Sequence, residues 1–263
     1  MKAIQKTLIF LTLGLIAINL SYAGEAEDKG LQISKQAKAR DIGWGDTQAE
    51  MQMLLKNKNG QTSTRQMRIK SMEQLNDGDK SLTIFDSPRD VKGTAFLSFS
   101  HPEANDEQWL YLPALKRVKR ISSRNKSGSF MGSEFSFEDL TSFEVEKYNY
   151  KYLRDEVIDG MDSWVIENYP KDKYSGYKKR ITWIDKKEYR TVKVDFYDRK
   201  NSLLKTLRMK GFKKYLDKFW RATTLEMVNH QSGKSTILTW KNYRFKTGLS
   251  DKDFNKNALK RAR

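Results

Sequence analysis

Apolar and polar residues alternate with a period of two along most of this chain. Between residues 47 and 55 the odd positions are mostly apolar, whereas Gln48, Glu50 and Gln52 are polar. Comparable alternation returns in residues 66–70, 191–196 and 224–227. Because successive side chains of a strand point to opposite faces, the pattern predicts antiparallel sheet with one apolar face and one solvated face.

Turn sequences separate these runs at hairpin intervals: Asn59-Gly60, Asp77-Gly78, Asp159-Gly160, Asp198 to Asn201 and Ser232-Gly233. Only Leu31 to Ile42 and Asp251 to Ala262 are predicted to be helical, and Ser122 to Thr141 is predicted to be a long loop. Two helices cannot cover the apolar face of a wide sheet. We therefore predict a mainly β fold, a curled and unclosed antiparallel sheet around a partly filled apolar hollow suited to an acyl chain.

The first residues predict export. Lys2 and Lys6 precede an apolar run from Leu8 to Ile18, and Ser21-Tyr22-Ala23 provides a cleavage site. The alternative is a membrane anchor, but the run is shorter than the roughly 20 residues that span a bilayer. We predict a cleaved signal peptide over residues 1–23, one domain over 24–263, and a periplasmic location in a Gram-negative cell.

Charge and cysteine content narrow the classes of partner. The chain has no cysteine, so it lacks disulfides and the lipidated cysteine of a lipoprotein. Its 50 basic and 33 acidic residues give a net charge of +17. Outside the cytoplasm such a charge favours lipid headgroups or an acidic protein face over nucleic acid. Solubility alone is an equally good explanation, because no run of basic residues is long enough to form a binding arm.

Residues for catalysis are scarce. The chain has two histidines, His101 and His230, so a three-histidine zinc site is excluded, and it has no Gly-x-Ser-x-Gly sequence. Glu134, Glu138 and Asp139 are better explained as loop or helix-start charges than as an acid–base pair. We predict no catalytic residue, metal or cofactor, and rank a hydrolase last among the functions considered.

Three segments carry a resemblance to a known family: Phe85 to Leu97, Trp109 to Ile121 and Phe130 to Leu140. In this order and spacing they resemble the periplasmic outer-membrane lipoprotein-sorting proteins of the LolA-like superfamily. The nearest branch is the one associated with exporters of the resistance-nodulation-division type, which the tail Leu249 to Phe254 also resembles.

The resemblance implies a half-barrel, a strongly curved and unclosed antiparallel sheet with a few short helices as a lid. It also implies a carrier that takes acyl chains of lipoproteins or lipids from an inner-membrane transporter towards the outer membrane. Lipoproteins at large and a single lipid moved by a partner exporter are both open as cargo. The alternative is an accessory module that docks on an envelope exporter and carries no lipid.

Two sets of residues are predicted to form sites. The ligand set comprises aromatic and methionine residues in or beside the motifs: Phe96, Trp109, Tyr111, Met131, Phe135 and Phe137. Those near Phe130 suit either a mobile apolar flap or a loop held by ordinary packing. The second set is the basic hairpin Lys116, Arg117, Lys119 and Arg120, predicted to meet headgroups or a transporter during transient membrane contact. An ordinary charged hairpin tip is the alternative.

Overall fold

The computed structural model describes residues 24–261, so the predicted signal peptide lies outside the described residues. Helix α1 spans residues 24–40 and helix α2 spans Lys256–Arg261. Thirteen strands lie between them: β1 (Asp46–Lys56), β2 (Thr62–Met72), β3 (Lys80–Ser87), β4 (Ala95–Phe99), β5 (Glu107–Leu112), β6 (Arg117–Ile121), β7 (Tyr148–Ile158), β8 (Met161–Pro170), β9 (Tyr177–Asp185), β10 (Thr191–Asp198), β11 (Leu203–Tyr215), β12 (Phe219–Asn229) and β13 (Ser235–Phe245).

All thirteen strands form one antiparallel sheet in the order β6-β5-β4-β3-β2-β1-β13-β12-β11-β10-β9-β8-β7. Each half of the chain is a meander of hairpins, and the first and last strands pair at the centre. The sheet does not close into a barrel, because β6 and β7 remain as its two edges. The predicted fold class is confirmed.

This topology explains the long irregular segment in the middle of the sequence. Residues 122–147, called the strap below, connect β6 to β7 and must therefore pass from one edge of the sheet to the other. The strap contains three short 3-10 turns and lies over one face of the sheet, which we call the inner face. The loop predicted over Ser122 to Thr141 thus forms most of a cover.

Both faces of the sheet carry apolar clusters, and different parts of the chain cover them. On the inner face the strap covers the region around Phe85 and Phe96, and α1 packs through Ile33 against Ile166 and Ile184. On the outer face α2 packs through Leu259 on β4 and β5. Strands β3 and β4 are therefore buried on both faces instead of alternating.

The two predicted helices differ in their limits from those observed. Helix α1 is already formed at residue 24, earlier than the predicted start at Leu31, and it ends at residue 40 before the Gly43 and Gly45 turn. At the other end, Ser250 and Asp253 cap only a 3-10 turn, Asp251–Asp253. Helix α2 starts later because the Asn255 side chain accepts hydrogen bonds from its first amides.

Candidate functional site

The inner face is built by cross-strand pairs of large apolar residues near the centre of the sheet. Met51 of β1 lies opposite Met67 on one side and Trp240 on the other, and Met67 lies opposite Phe85. Met67 and Phe85 are 1 % and 0 % exposed. Met227 continues the same cluster on β12. Thioethers and aromatic rings together make a surface that accepts apolar groups of varied shape.

The strap fills this surface with its own aromatic rings. Phe130 and Phe135 are buried in the inner cluster. The ring centre of Phe130 lies 5.1 Å from that of Phe96 and 5.9 Å from that of Phe85. Phe137 lies edge-on to Phe130 at 5.8 Å. The space that the sheet encloses is thus occupied by residues of the chain itself.

A buried ion pair fixes the strap to β11. The Lys205 ammonium donates to Asp139 Oδ2 at 2.7 Å and to the Glu134 carbonyl oxygen at 2.8 Å, and both charged side chains are 5 % exposed. Burial by itself opposes ionisation of Asp139, but Lys205 and hydrogen bonds from Ser136 outweigh it and hold the pKa of Asp139 below its usual value.

Tyr177 of β9 completes this cluster. Its hydroxyl donates to Asp139 Oδ1 at 2.8 Å. Burial, together with the charges of Asp139 and Glu138, raises the pKa of Tyr177 well above its usual value, so the phenol stays protonated as a donor. Burial and the neighbouring Asp139 also raise the pKa of Glu138, which accepts hydrogen bonds from Ser175 and Gly176.

Further polar contacts join the strap to strands on both halves of the sheet. Arg65 of β2 donates to the Met131 carbonyl, and Gln108 of β5 donates to the Phe137 carbonyl at 2.8 Å. The Glu134 amide donates to Thr236 Oγ1 of β13 at 3.0 Å. Since these contacts come from the sheet and end largely on strap backbone, the strap has a defined position over the inner face.

Part of the inner face is left without full cover. Four apolar residues on neighbouring strands are partly buried and pack against the inner cluster: Ile69, Met209, Leu225 and Trp240, called the inner strip below. Leu225 lies opposite Met209 and Leu238 in adjacent strands. The strip is thus a partly exposed continuation of the inner cluster.

The structure separates the predicted ligand residues into two groups. Phe96 and Phe135 are buried together in the inner cluster, and Met131 and Phe137 pack against it. Trp109 and Tyr111 lie on the outer face, because Leu110 is the residue of β5 opposite Phe96.

On the outer face Trp109 packs with Phe254 and Leu259, and Tyr111 lies beside this cluster. The six residues therefore do not line one surface. The predicted role of Trp109 and Tyr111 in binding stays a prediction.

The predicted basic hairpin lies at the β5–β6 turn and along the edge strand β6. Its four cationic residues, Lys116, Arg117, Lys119 and Arg120, are exposed. Arg120 pairs with Glu107 at 3.0 Å. Charged side chains on an edge strand oppose pairing with another sheet, which is a structural role independent of any partner.

The two histidines are far apart in the sheet. His101, in the β4–β5 loop, bonds Asp77 at 2.8 Å, and His230, in the β12–β13 loop, bonds Thr206 at 2.8 Å. These loops lie at opposite ends of the strands. Within residues 24–261 no group of three or more His, Asp or Glu side chains is placed to hold a metal ion. No helix among the same residues is long and apolar enough to cross a membrane.

Sequence reasoning missed Lys205 and the inner strip. A signal for Lys205 exists, since it occupies a position in line with Leu207 and Met209, where the alternation calls for an apolar side chain. The inner strip has no such signal, because which apolar residues stay uncovered depends on the path of the strap.

Comparisons with known proteins agree with this architecture. A family model described as an uncharacterized protein, of the DUF1329-like family, matches residues 77–261. A domain from Vibrio parahaemolyticus, assigned by name to outer-membrane lipoprotein sorting, is 62% identical, with a TM-score of 0.88, 89% of this chain and 99% of that chain covered. A search of curated proteins gave no match.

Two further solved structures are similar. A DUF1329 family protein from Desulfovibrio piger is 32% identical, with a TM-score of 0.84 over 89% of this chain and 99% of that one. A LolA superfamily protein from Nitrosomonas europaea is 22% identical, with a TM-score of 0.67 and with 90% of this chain and 98% of that chain covered. This chain belongs to the DUF1329 family, and its fold is that of the LolA-like superfamily.

Proposed function

We propose that the protein is a periplasmic carrier that binds acyl chains of lipids or lipoproteins against the inner face. It moves them between an inner-membrane transporter and the outer membrane. The observation that carries the proposal is an apolar inner face occupied by Phe130 and Phe135, with the partly exposed inner strip beside them.

Binding then consists of an exchange of one apolar group for another. An acyl chain enters along the inner strip and takes the place of strap rings on Met67 and Phe85. Each methylene group of the acyl chain that is removed from water contributes about 0.8 kcal/mol to binding. Displacing the strap rings opposes this, because the free energy gained from burying those rings is lost. Such an exchange gives reversible binding, which a carrier needs in order to release its cargo.

The location and the partners belong to the same proposal. The N-terminal sequence from Lys2 to Ala23 and the relative from Vibrio parahaemolyticus support export to the periplasm. The resemblance to the exporter-associated branch supports a transporter of the resistance-nodulation-division type as donor or acceptor. Transient membrane contact through the basic hairpin completes the proposed cycle.

Native mass spectrometry tests the proposal directly. Protein purified gently from its periplasm is expected to hold lipid or acyl peptide at near-stoichiometric amounts, which extraction then identifies. Leu225→Glu places a carboxylate on the inner strip, and an acyl chain that covers this carboxylate removes its water. The variant is therefore expected to reduce the fraction of protein that holds lipid severalfold.

Ile237→Glu is the matched control. Ile237 is also partly buried, but it lies next to Leu238 on the other face of the sheet, opposite Glu226. It is expected to retain lipid. A protein that stays empty even after incubation with membranes contradicts the carrier and leaves the docking module as the better function.

A further inference from the structure

The eleven hairpin loops of the sheet fall at its two ends, and the two ends carry opposite charge. Because the strands are antiparallel, alternate hairpins emerge at the same end. One end, called the basic end below, collects the loops 57–61, 88–94, 113–116, 171–176, 199–202 and 230–234.

Contacts between these loops confirm the grouping. A Cβ on Gly233 would lie 3.6 Å from Lys58 Cβ, which joins the loops at the seam of β1 and β13. Gln231 donates to Asp198 at 3.0 Å, and the Arg199 guanidinium donates to the Ser175 carbonyl oxygen at 2.9 Å. These contacts join four of the six loops into a row, and 88–94 and 113–116 follow at the same ends of β3 to β6; the six loops together are called the rim below.

The charge of this rim is strongly unbalanced. Its loops hold nine basic residues against the two acidic residues Asp90 and Asp172, a net charge of +7. All nine basic side chains are exposed, and no ion pair involves them within the described residues: Lys58, Arg89, Lys92, Lys116, Lys171, Lys173, Arg199, Lys200 and Lys234.

The five hairpin loops at the other end have the opposite balance. The loops 73–79, 100–106, 159–160, 186–190 and 216–218 hold eight acidic and four basic residues, a net charge of −4. Among the hairpin loops, the positive charge is therefore concentrated at one end of the strands. Solubility alone does not require such a separation, whereas an oriented approach to a charged surface does.

An apolar residue projects from the basic end. Leu115, at the tip of the β5–β6 hairpin beside Lys116, is 68% exposed. An exposed leucine flanked by cations fits the boundary between headgroups and acyl chains. The strap residue Glu134 bonds Thr236 and Asn229 near the ends of β13 and β12 that adjoin the same rim.

We propose that the basic end is a docking surface for anionic phospholipid bilayers, which holds the molecule with its strands pointing towards the membrane and the Glu134 part of the strap near the headgroups. The inference rests on the membrane contact of the proposed function, and gives it a surface and an orientation. It needs no cargo, so vesicle binding can be measured apart from lipid carriage.

Vesicle co-sedimentation of the purified protein tests it. Binding is expected to vesicles of phosphatidylethanolamine with ~30% phosphatidylglycerol, and to be lost both on phosphatidylcholine alone and at ~0.5 M salt. A fourfold variant is expected to bind the anionic vesicles at least about tenfold more weakly. Its substitutions are Lys116→Glu, Lys171→Glu, Lys200→Glu and Lys234→Glu.

The control variant Lys187→Glu, Lys213→Glu, Lys246→Glu, Lys252→Glu changes the net charge by the same amount at exposed positions away from the basic end. It is expected to lose less than about threefold. Circular dichroism and thermal melting establish that both variants are folded. Equal losses in the two variants, or no binding to the anionic vesicles, overturn the proposal.

The absence of cysteine permits a second measurement of orientation. Leu115→Cys, at the β5–β6 turn, and Val157→Cys, in β7 close to the β7–β8 turn, introduce single labelling sites of matched exposure, 68% and 69%, at opposite ends. A polarity-sensitive dye is expected to shift to the blue on anionic vesicles at position 115 only. A shift at position 157 instead, or at neither position, contradicts the orientation even when carriage of lipid is intact.

Discussion

Lys205 and Asp139 form the ion pair that connects the strap to the second half of the sheet. Removing one partner of a buried pair leaves an uncompensated charge, so Lys205→Met is expected to lower the free energy of unfolding by about 3–5 kcal/mol. The double variant with Asp139→Asn is expected to regain much of this loss. Urea denaturation measures both, and additive losses in the double variant would contradict the coupling.

Asp139 also predicts a dependence of stability on pH. Because its pKa in the folded protein is below the usual value of 3.8, its stabilising contribution is present above that value and is lost as the pH falls through the lowered pKa. Glu138, with a raised pKa, acts in the opposite direction. The Asp139→Asn variant is expected to show less loss of stability at acid pH than the wild type in parallel urea titrations.

Phe135 and Trp109 distinguish the two faces as ligand surfaces. Phe135→Ala removes a ring from the inner cluster, whereas Trp109→Ala removes one from beneath α2. If acyl chains bind the inner face, Phe135→Ala is expected to change the bound lipid severalfold and Trp109→Ala to leave it nearly unchanged. Lipid quantification after gentle purification decides between them, and the reverse result places the ligand on the outer face.

At the scale of elements, the strands could be predicted because alternation and turn residues are local signals. Thr47 to Leu55 and the Asn59-Gly60 turn are examples, and the structure has β1 and its hairpin there. Register between strands is not local. Nothing near Trp109 in the sequence shows that Leu110 is the residue opposite Phe96. The face of the sheet on which Trp109 lies could therefore not be predicted.

The strap shows the same limit. Its glycine, serine and aromatic residues predict a break in the sheet, but the path from β6 to β7 follows only from the order of all thirteen strands. The burial of Phe130 and Phe135 is a consequence of that path. The apolar residues of the candidate site could thus be partly named in advance, whereas their arrangement depended on the topology.

The C-terminal segment is predicted to be a structural clamp on β4 and β5. Phe254 is 3% exposed and packs with Trp109 and Leu82 in the outer cluster. Phe254→Ala is expected to lower the free energy of unfolding by about 3–5 kcal/mol. Leu115→Ala, at an exposed tip, is the control and is expected to stay within about 0.5 kcal/mol. Equal effects of the two in urea denaturation would show that the segment packs only loosely.

At the scale of the whole molecule, the pairing of β1 with β13 is the one strand contact within residues 24–261 that joins the two meanders into one sheet. Contacts this distant in sequence have a large loop-closure cost, so we expect them to form after the transition state of folding. Leu238→Ala, at this seam, is then expected to speed unfolding with little change in the folding rate. Leu207→Ala, within one meander, is the comparison, and stopped-flow chevrons measure the folding and unfolding rates of both variants. If Leu238→Ala slows folding more than Leu207→Ala does, the β1–β13 pairing does not form after the transition state.

The strap ends at both edges of the sheet, so it is a tether rather than a lid with a free end. Fully extended, its 26 residues would reach roughly 3.5 Å each, far more than the folded path requires, so the middle of the strap can leave the inner face while both ends stay fixed. Access to the inner face is thus set by the contacts that hold the strap down, among them the Lys205–Asp139 pair. A single cut within residues 122–147 leaves two halves of the sheet that are still joined by the β1–β13 pair, by α1 packed on β8 and β9, and by the contacts of the strap fragments.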